Sequence, residues 1–198
     1  MDKKAELEAH LSEWSKKREP FLYDGFVTYG VEKQTVLFIG AESNTSTESK
    51  YPKCGVCKTP EFFWFSMPAC CGTTRYHNRA KDFLDGLEGL PLNTHKDFKH
   101  YNHNVAYMNL NKSGGAAGIH NYDCFKNKVL VDARDIEEEI RIIDPAIIVI
   151  FGKNAQNAFK ALLAALGKSI SYLKIAHFCC CSIEEAFHAG CHAPKQPV

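Results

Sequence analysis

An isoleucine-rich stretch, residues 146–151, is the feature that most limits what this chain can fold into. It is a continuous apolar run, which is typical of a strand buried on both faces. Before it, 132–143 carries isoleucines at helical spacing, and the Asp-Pro pair at 144–145 ends that pattern. After it comes Gly152, and 153–166 returns to helical spacing. A buried strand between two amphipathic helices predicts a parallel sheet covered by helices.

Other segments repeat these patterns. Helices are predicted at 2–18 and 74–90, and strands at 36–39, 104–109 and 173–176. A chain of 198 residues is long enough for one well-buried domain. We therefore expect a single α/β domain over 1–198, a three-layer sandwich with a central, mostly parallel, about four-stranded sheet between helices. The stretch 45–72 has almost no helical period and is expected to be a cysteine-containing loop.

The strand at 36–39 stops at Gly40, and the chain turns polar at once. Glu42, Ser43 and Asn44 follow within four residues. In an open α/β sheet, ligands bind beyond the carboxyl ends of the strands. A glycine there lets the backbone approach a ligand, and the side chains that follow are the first able to reach it. We expect this loop to carry the chemistry.

Two further strands end in polar chain in the same way. The strand at 104–109 runs into Asn109 and a glycine-rich stretch, and the last strand runs into His177. Parallel strands present their carboxyl ends at one edge, so both residues are expected near Glu42. There His177 would donate a hydrogen bond to a developing anion, or else be a hydrogen-bonded core residue.

The charge balance is nearly neutral, with 24 basic and 23 acidic residues, so no global field attracts nucleic acid or membrane. One segment, 95–128, is locally basic, with lysines at 96, 99, 112, 126 and 128. These lysines form either a local basic surface or ordinary solvated faces. The run 112–115 offers backbone N–H groups to a phosphate, although its spacing is not that of a P-loop.

Nine cysteines are many for an intracellular protein. Cys54 and Cys57 form a C-x2-C pair, followed by the adjacent Cys70 and Cys71. Such a set would make a structural zinc site, with one of the adjacent pair more plausible than both as a ligand. Unliganded thiols are the alternative.

Four aromatic residues in a row, ending at Phe65, follow the C-x2-C pair. They cannot all face one side of an element, so some meet the core and some a cavity or the surface. A ring of this stretch is either a stacking partner for a flipped nucleobase or part of a hydrophobic plug.

The amino terminus is charged throughout, and no apolar run approaches the length of a membrane span. We therefore expect a soluble, cytoplasmic protein with no membrane partner, and a monomer.

The polar segments together resemble the uracil-DNA glycosylase superfamily, over roughly 35–185. The loop 40–44 lies where that family has the motif of its water-activating residue. The segment 65–68 looks like the one whose phenylalanine stacks on uracil, and 107–109 is similar to the strand end whose asparagine reads the base. Residues 142–152 resemble the family's helix, proline, buried strand and glycine, and 177–182 falls at its His-Pro-Ser loop.

The resemblance implies a base-excision hydrolase that flips uracil or a related damaged base out of DNA and cleaves its N-glycosidic bond without a cofactor. Glu42 would orient water and His177 would stabilise the departing base. Gly40, Ser43, Asn44, Phe65, Asn109 and Ser182 would contact the substrate, and single-stranded or lesion-containing DNA would be the partner.

Several positions depart from the family pattern. Glu42 stands where Asp or Asn is expected, and Ser43 and Phe178 replace prolines. Two other readings therefore stay open: a non-catalytic nucleobase or nucleic-acid-binding module on the same fold, and a zinc-stabilised interaction protein.

Overall fold

The computed structural model describes residues 2–18, 21–44, 74–91, 93–115, 119, 121–168 and 175–178. Five helices occur in these ranges: α1 Lys3–Ser15, α2 Thr74–Leu87, α3 Tyr122–Val131, α4 Ala133–Ile143 and α5 Lys153–Ala165. Five strands accompany them: β1 Gly25–Thr28, β2 Thr35–Asn44, β3 Asn104–Gly115, β4 Ile147–Phe151 and β5 Ile175–Phe178. A short 3-10 helix, Phe98–His100, precedes β3.

The strands form one open, mixed sheet in the order β1-β3-β2-β4-β5. β2 pairs in parallel with both β3 and β4, and β4 pairs in parallel with β5. β1 is antiparallel to β3 and closes one side of the sheet. The α/β class and the mostly parallel sheet are confirmed, and β1 is an additional strand. The sequence pattern does not predict this strand, because four residues that begin with a glycine are too short a pattern to identify.

Alternate side chains of the strands enter two hydrophobic clusters, one on each face of the sheet. Leu37 and Ile39 of β2 pack with residues of α1, α3, α4 and α5. Val36 and Phe38 pack with α2 and the 3-10 helix. Helices therefore cover both faces, as the buried apolar strands require.

Both central strands are longer than their apolar runs predict. β2 continues through the polar stretch to Asn44, and β3 continues past Asn109 to Gly115. The extensions pair with each other, with Gly40 opposite Asn109 and Glu42 opposite Asn111. The prediction that the strands end at 39 and 109 is wrong, because backbone pairing and buried hydrogen bonds stabilise polar residues in a sheet as well as apolar ones.

No helix in the described ranges is long and apolar enough to cross a lipid bilayer.

Candidate functional site

At the carboxyl edge of the sheet, the helices that follow the neighbouring strands β2 and β4 lie on opposite faces. The next described helix after β2 is α2, which packs on one face of the sheet, while α5, which follows β4, packs on the other. Connections that leave two neighbouring parallel strands towards opposite faces open a crevice between them, and ligands of open α/β proteins bind in such crevices. This edge is the candidate site.

The register brings the predicted segments to this edge. Ile39 of β2 lies opposite Ile150 of β4, and Ile150 lies opposite His177 of β5. With a strand spacing of 4.7–4.9 Å, the backbones of Ile39 and His177 are about 10 Å apart. Glu42 is three residues further along β2, which places its backbone about 14 Å from that of His177 at roughly 3.3 Å of rise per residue.

Six predicted site residues lie outside the described residues: Phe65, Ser182, Cys54, Cys57, Cys70 and Cys71. Their proposed roles in stacking, phosphate contact and zinc binding stay predictions. Ser43 and Asn44 belong to β2, with Asn44 opposite Gly115 of β3.

Gly40 lies directly against two side chains of β3. A Cβ atom at this position would lie 2.1 Å from the hydroxyl oxygen of Tyr107 and 2.8 Å from Oδ1 of Asn109. The Tyr107 hydroxyl donates a hydrogen bond of 2.9 Å to that same Oδ1. The sequence suggested that Gly40 admits a ligand; the structure shows that it makes room for Tyr107 and Asn109.

Asn109 is held on its backbone as well as its side chain. Its backbone N–H donates to Oδ2 of Asp24 at 2.7 Å, and the residue is 1% exposed. The Tyr107 hydroxyl fixes which end of the amide is the acceptor. Asn109 is therefore a rigid amide in the sheet, three residues before a second buried group, Lys112.

Lys112 lies neither on a local basic surface nor on a solvated face, so both interpretations of this lysine are wrong. The side chain is fully buried, and its ammonium group contacts Asp24 and Glu139, which are buried as well. The Trp14 ring lies 5.3 Å from Nζ. Burial disfavours the ammonium, but the two carboxylates outweigh it and raise the pKa of Lys112 above its usual value.

Asp24 and Glu139 are not among the predicted site residues, although their sequence contexts carry a signal. Asp24 interrupts the aromatic and apolar stretch 21–27, and Glu139 falls on the apolar stripe of α4 between Ile136 and Ile143. A charged residue inside an otherwise apolar pattern indicates a buried ion pair when a partner of opposite charge exists elsewhere.

The remaining lysines of the basic segment are not on one surface. Lys96 and Lys99 lie beside the 3-10 helix before the amino end of β3, where they pair with Glu88 at 3.9 Å and Asp97 at 3.4 Å. Lys126 and Lys128 belong to α3. A continuous basic face that includes all five lysines is therefore ruled out.

The amino terminus of α5 lies at the candidate edge, since only Gly152 separates it from β4. Gly152 has φ 86°, no side chain caps the helix, and its first turn contains no acidic residue. Backbone N–H groups at a helix start favour negatively charged or electron-rich ligand atoms. This end of the helix adds donors to the same edge.

A different group of side chains offers ligands to a metal. Oxygen atoms of Asp82 and Asp85 and a ring nitrogen of His95 lie within 4.8 Å of one another. His95 Nε2 is 2.7 Å from Asp82, and Asp85 accepts hydrogen bonds from Tyr101 and from the His95 backbone. These side chains are already held by hydrogen bonds within the group and to Tyr101. A cation would therefore have to displace the contact between His95 and Asp82.

The candidate edge thus combines the backbone of 40–44, the uncapped start of α5, and the backbone of His177, with the Asn109 amide buried beside Gly40. Amide and backbone groups of this kind supply both hydrogen-bond donors and acceptors to a bound ligand. In comparisons with known proteins, the chain matches no family model, no curated protein and no solved structure.

Proposed function

We propose that the chain is a glycosylase-like hydrolase that binds a nucleobase at the carboxyl edge of its sheet and cleaves the N-glycosidic bond. The observation that carries the proposal is the parallel register of β2, β4 and β5. It brings the backbones of 40–44 and His177 to the same edge, beside the crevice between β2 and β4. The mostly parallel sheet with helices on both faces is consistent with a sandwich of the uracil-DNA glycosylase type.

Cleavage of an N-glycosidic bond needs charge stabilised on both fragments, because the sugar becomes cationic and the base leaves as an anion. In the proposal, Glu42 orients the attacking water and faces the cation, and His177 donates to the carbonyl oxygen of the base. Gly40, Ser43 and Asn44 would line the site, Phe65 would stack on the base, and Ser182 would hold a phosphate.

Asn109 supports base recognition through its fixed orientation. Its Oδ1 accepts the Tyr107 hydroxyl and its backbone is held by Asp24, so the amide is held in place before any ligand arrives. A pre-oriented amide discriminates between bases better than a mobile one. Because Asn109 is almost fully buried, this role requires an opening of the edge.

The test is base release from short oligonucleotides that contain uracil, hypoxanthine, xanthine or an oxidised pyrimidine. We expect Glu42→Gln and His177→Ala each to lower the release rate at least about 100-fold, the low end of general acid–base effects. Glu13→Gln, an exposed change on α1, is the control and should release base at the wild-type rate. Equal rates in Glu42→Gln and wild type would reject the catalytic assignment.

The second candidate is a module that binds a nucleobase or nucleotide without cleaving it. It is favoured by the separation of the basic lysines, since a small ligand does not need a continuous phosphate-binding face. In that case no oligonucleotide loses a base, while calorimetry detects binding of a free base or nucleotide that Asn109→Ala weakens. Absence of both release and binding from the folded protein would reject both candidates.

A structural zinc ion on Cys54, Cys57 and one or both of Cys70 and Cys71 is a separate proposal. Elemental analysis of the purified protein should give about one zinc per chain, lost in a Cys54→Ser, Cys57→Ser variant. Asp85→Asn is the matched control, because it alters the other group of possible ligands. Metal lost in Asp85→Asn instead would assign the ion to Asp82, Asp85 and His95.

A further inference from the structure

Three charged side chains meet in the core between the sheet and α4. Lys112 of β3, Glu139 of α4 and Asp24 before β1 have side chains that are 1% exposed or less. Lys112 Nζ donates to Asp24 and, at 3.0 Å, to Oε1 of Glu139. We call these residues the buried triad.

The buried triad does not balance in charge when every member is ionised. One ammonium and two carboxylates leave a net charge of −1 in a region without solvent. Removing an ion from water is unfavourable, and the excess charge has no partner to offset this cost. One bound proton makes the triad neutral.

The geometry indicates which atom holds this proton. Oε2 of Glu139 is 2.8 Å from Lys112 Nζ, yet among the described residues it has no hydrogen-bond partner of acceptable geometry. Both oxygens of Asp24, by contrast, accept hydrogen bonds, from Lys112 and from the Asn109 backbone. Both oxygens of Asp24 therefore act as acceptors, whereas only one oxygen of Glu139 does.

We propose that Glu139 is a proton-binding site in the core and that release of its proton weakens the attachment of α4 to the sheet. The groups that face it are Lys112 from β3, Asp24 from the segment before β1, and the Trp14 indole from α1, which lies over the Lys112 ammonium. His10 is another titratable side chain of α1 in contact with α4, where its ring bonds to the Asp135 carbonyl. On ionisation the proton passes to solvent and the triad becomes negatively charged.

The direction in which the pKa of Glu139 is shifted supports this assignment. Burial, with the nearby Asp24 adding to it, raises the pKa of Glu139 well above its usual value, although Lys112 acts against the shift. A raised folded-state pKa means that the proton contributes stability that is fully present below the unfolded value, near 4.5. This contribution is lost as the pH rises through the folded-state pKa.

The experiment is urea denaturation of the wild type, Glu139→Gln and Glu138→Gln from pH 4.5 to pH 9. Gln has the shape of a protonated Glu and cannot ionise. We expect the midpoint of Glu139→Gln to match the wild type at pH 4.5 and to exceed it increasingly at higher pH. Glu138→Gln, a change at a partly exposed position on the same helix, should follow the wild-type pH profile above pH 5, because the pKa of Glu138 is lowered by its hydrogen bond to Arg141.

Two results would overturn the proposal. A Glu139→Gln midpoint below the wild type at every pH would mean that Glu139 is ionised and forms a stabilising ion pair. Parallel profiles for the two proteins would mean that Glu139 binds the same number of protons in the folded and unfolded states over this range. The same comparison in a His10→Gln background removes any titration of His10 from the difference.

Infrared spectroscopy gives a readout that does not depend on unfolding. A protonated carboxyl in an apolar site has a carbonyl band separate from those of carboxylates, and we expect one such band in the wild type that is lost as the pH rises. It should be absent in Glu139→Gln and present in Glu138→Gln. A band retained in Glu139→Gln would assign the proton to another residue.

Discussion

Gly40 belongs both to the candidate site and to the packed interior of the sheet, because two side chains of β3 lie directly against its Cα. The space that a side chain at position 40 would take is filled by the Tyr107 hydroxyl and the Asn109 amide oxygen, which are hydrogen-bonded to each other. The close contact explains why glycine stands inside β2, where it otherwise weakens a strand. The orientation of Asn109 therefore depends on a residue in the neighbouring strand.

We predict that Gly40→Ala destabilises the protein by about 1–3 kcal/mol, the usual cost of adding a group to a filled core. Tyr107→Phe removes the oxygen 2.1 Å from the new Cβ, so the double variant should be less destabilised than the two single effects added together. Urea denaturation of the four proteins measures this coupling. Strict additivity would show that the tyrosine hydroxyl is not what excludes a side chain at position 40.

At the scale of elements, α1 and α4 are joined both by apolar contacts and by ion pairs. Leu7, Leu11 and Trp14 of α1 are buried in the cluster that also contains Ile136 of α4. Four ion pairs connect the helices or their ends: Lys3–Asp144, Glu6–Arg141, Lys17–Asp135 and Arg18–Asp132. The decreasing order of the partners shows that the helices run antiparallel.

We predict that the apolar contacts dominate this attachment. Leu11→Ala should cost about 2–5 kcal/mol, because the side chain is fully buried and leaves a cavity. Lys3→Ala should cost less than about 1 kcal/mol, since its pair with Asp144 is largely in solvent. Thermal unfolding of both variants at low and high salt measures the two losses of stability. A larger loss in Lys3→Ala than in Leu11→Ala would contradict the prediction.

At the scale of the molecule, the five lysines of the basic segment are divided among three environments. Lys112 is in the core, Lys96 and Lys99 are near the amino end of β3, and Lys126 and Lys128 are on α3. A nucleic acid at the candidate edge would meet few of them. The affinity of such a complex should depend only weakly on salt.

We predict that the logarithm of the affinity for single-stranded DNA falls with the logarithm of salt concentration with a slope shallower than about −2, which corresponds to fewer than three phosphate contacts. Two double variants are matched: one combines Lys96→Gln with Lys99→Gln, and the other combines Lys126→Gln with Lys128→Gln. At most one pair should alter the slope in electrophoretic binding assays. Equal effects of both pairs would show that the lysines act as one surface.

The sequence alone determined the elements whose patterns are local. The strand Ile147–Phe151, the helix Lys153–Ala165 and the helix Thr74–Leu87 follow from apolar periodicity within single segments, and together they establish the α/β class. The sequence also identified the polar residues that follow the apolar parts of β2 and β3, although the predicted ends of both strands came too early. Glu42, Asn109 and His177 could be assigned to one edge because parallel strands share their carboxyl ends.

Only the tertiary structure decided what depends on residues far apart in the chain. Lys112 is separated by 88 residues from Asp24 and by 27 from Glu139, so no local pattern identifies these residues as partners in the core. For the same reason β1 and the polar extensions of β2 and β3 were missed. Their stability comes from hydrogen bonds to partner strands, whereas a sequence pattern records only which side chains prefer to leave water.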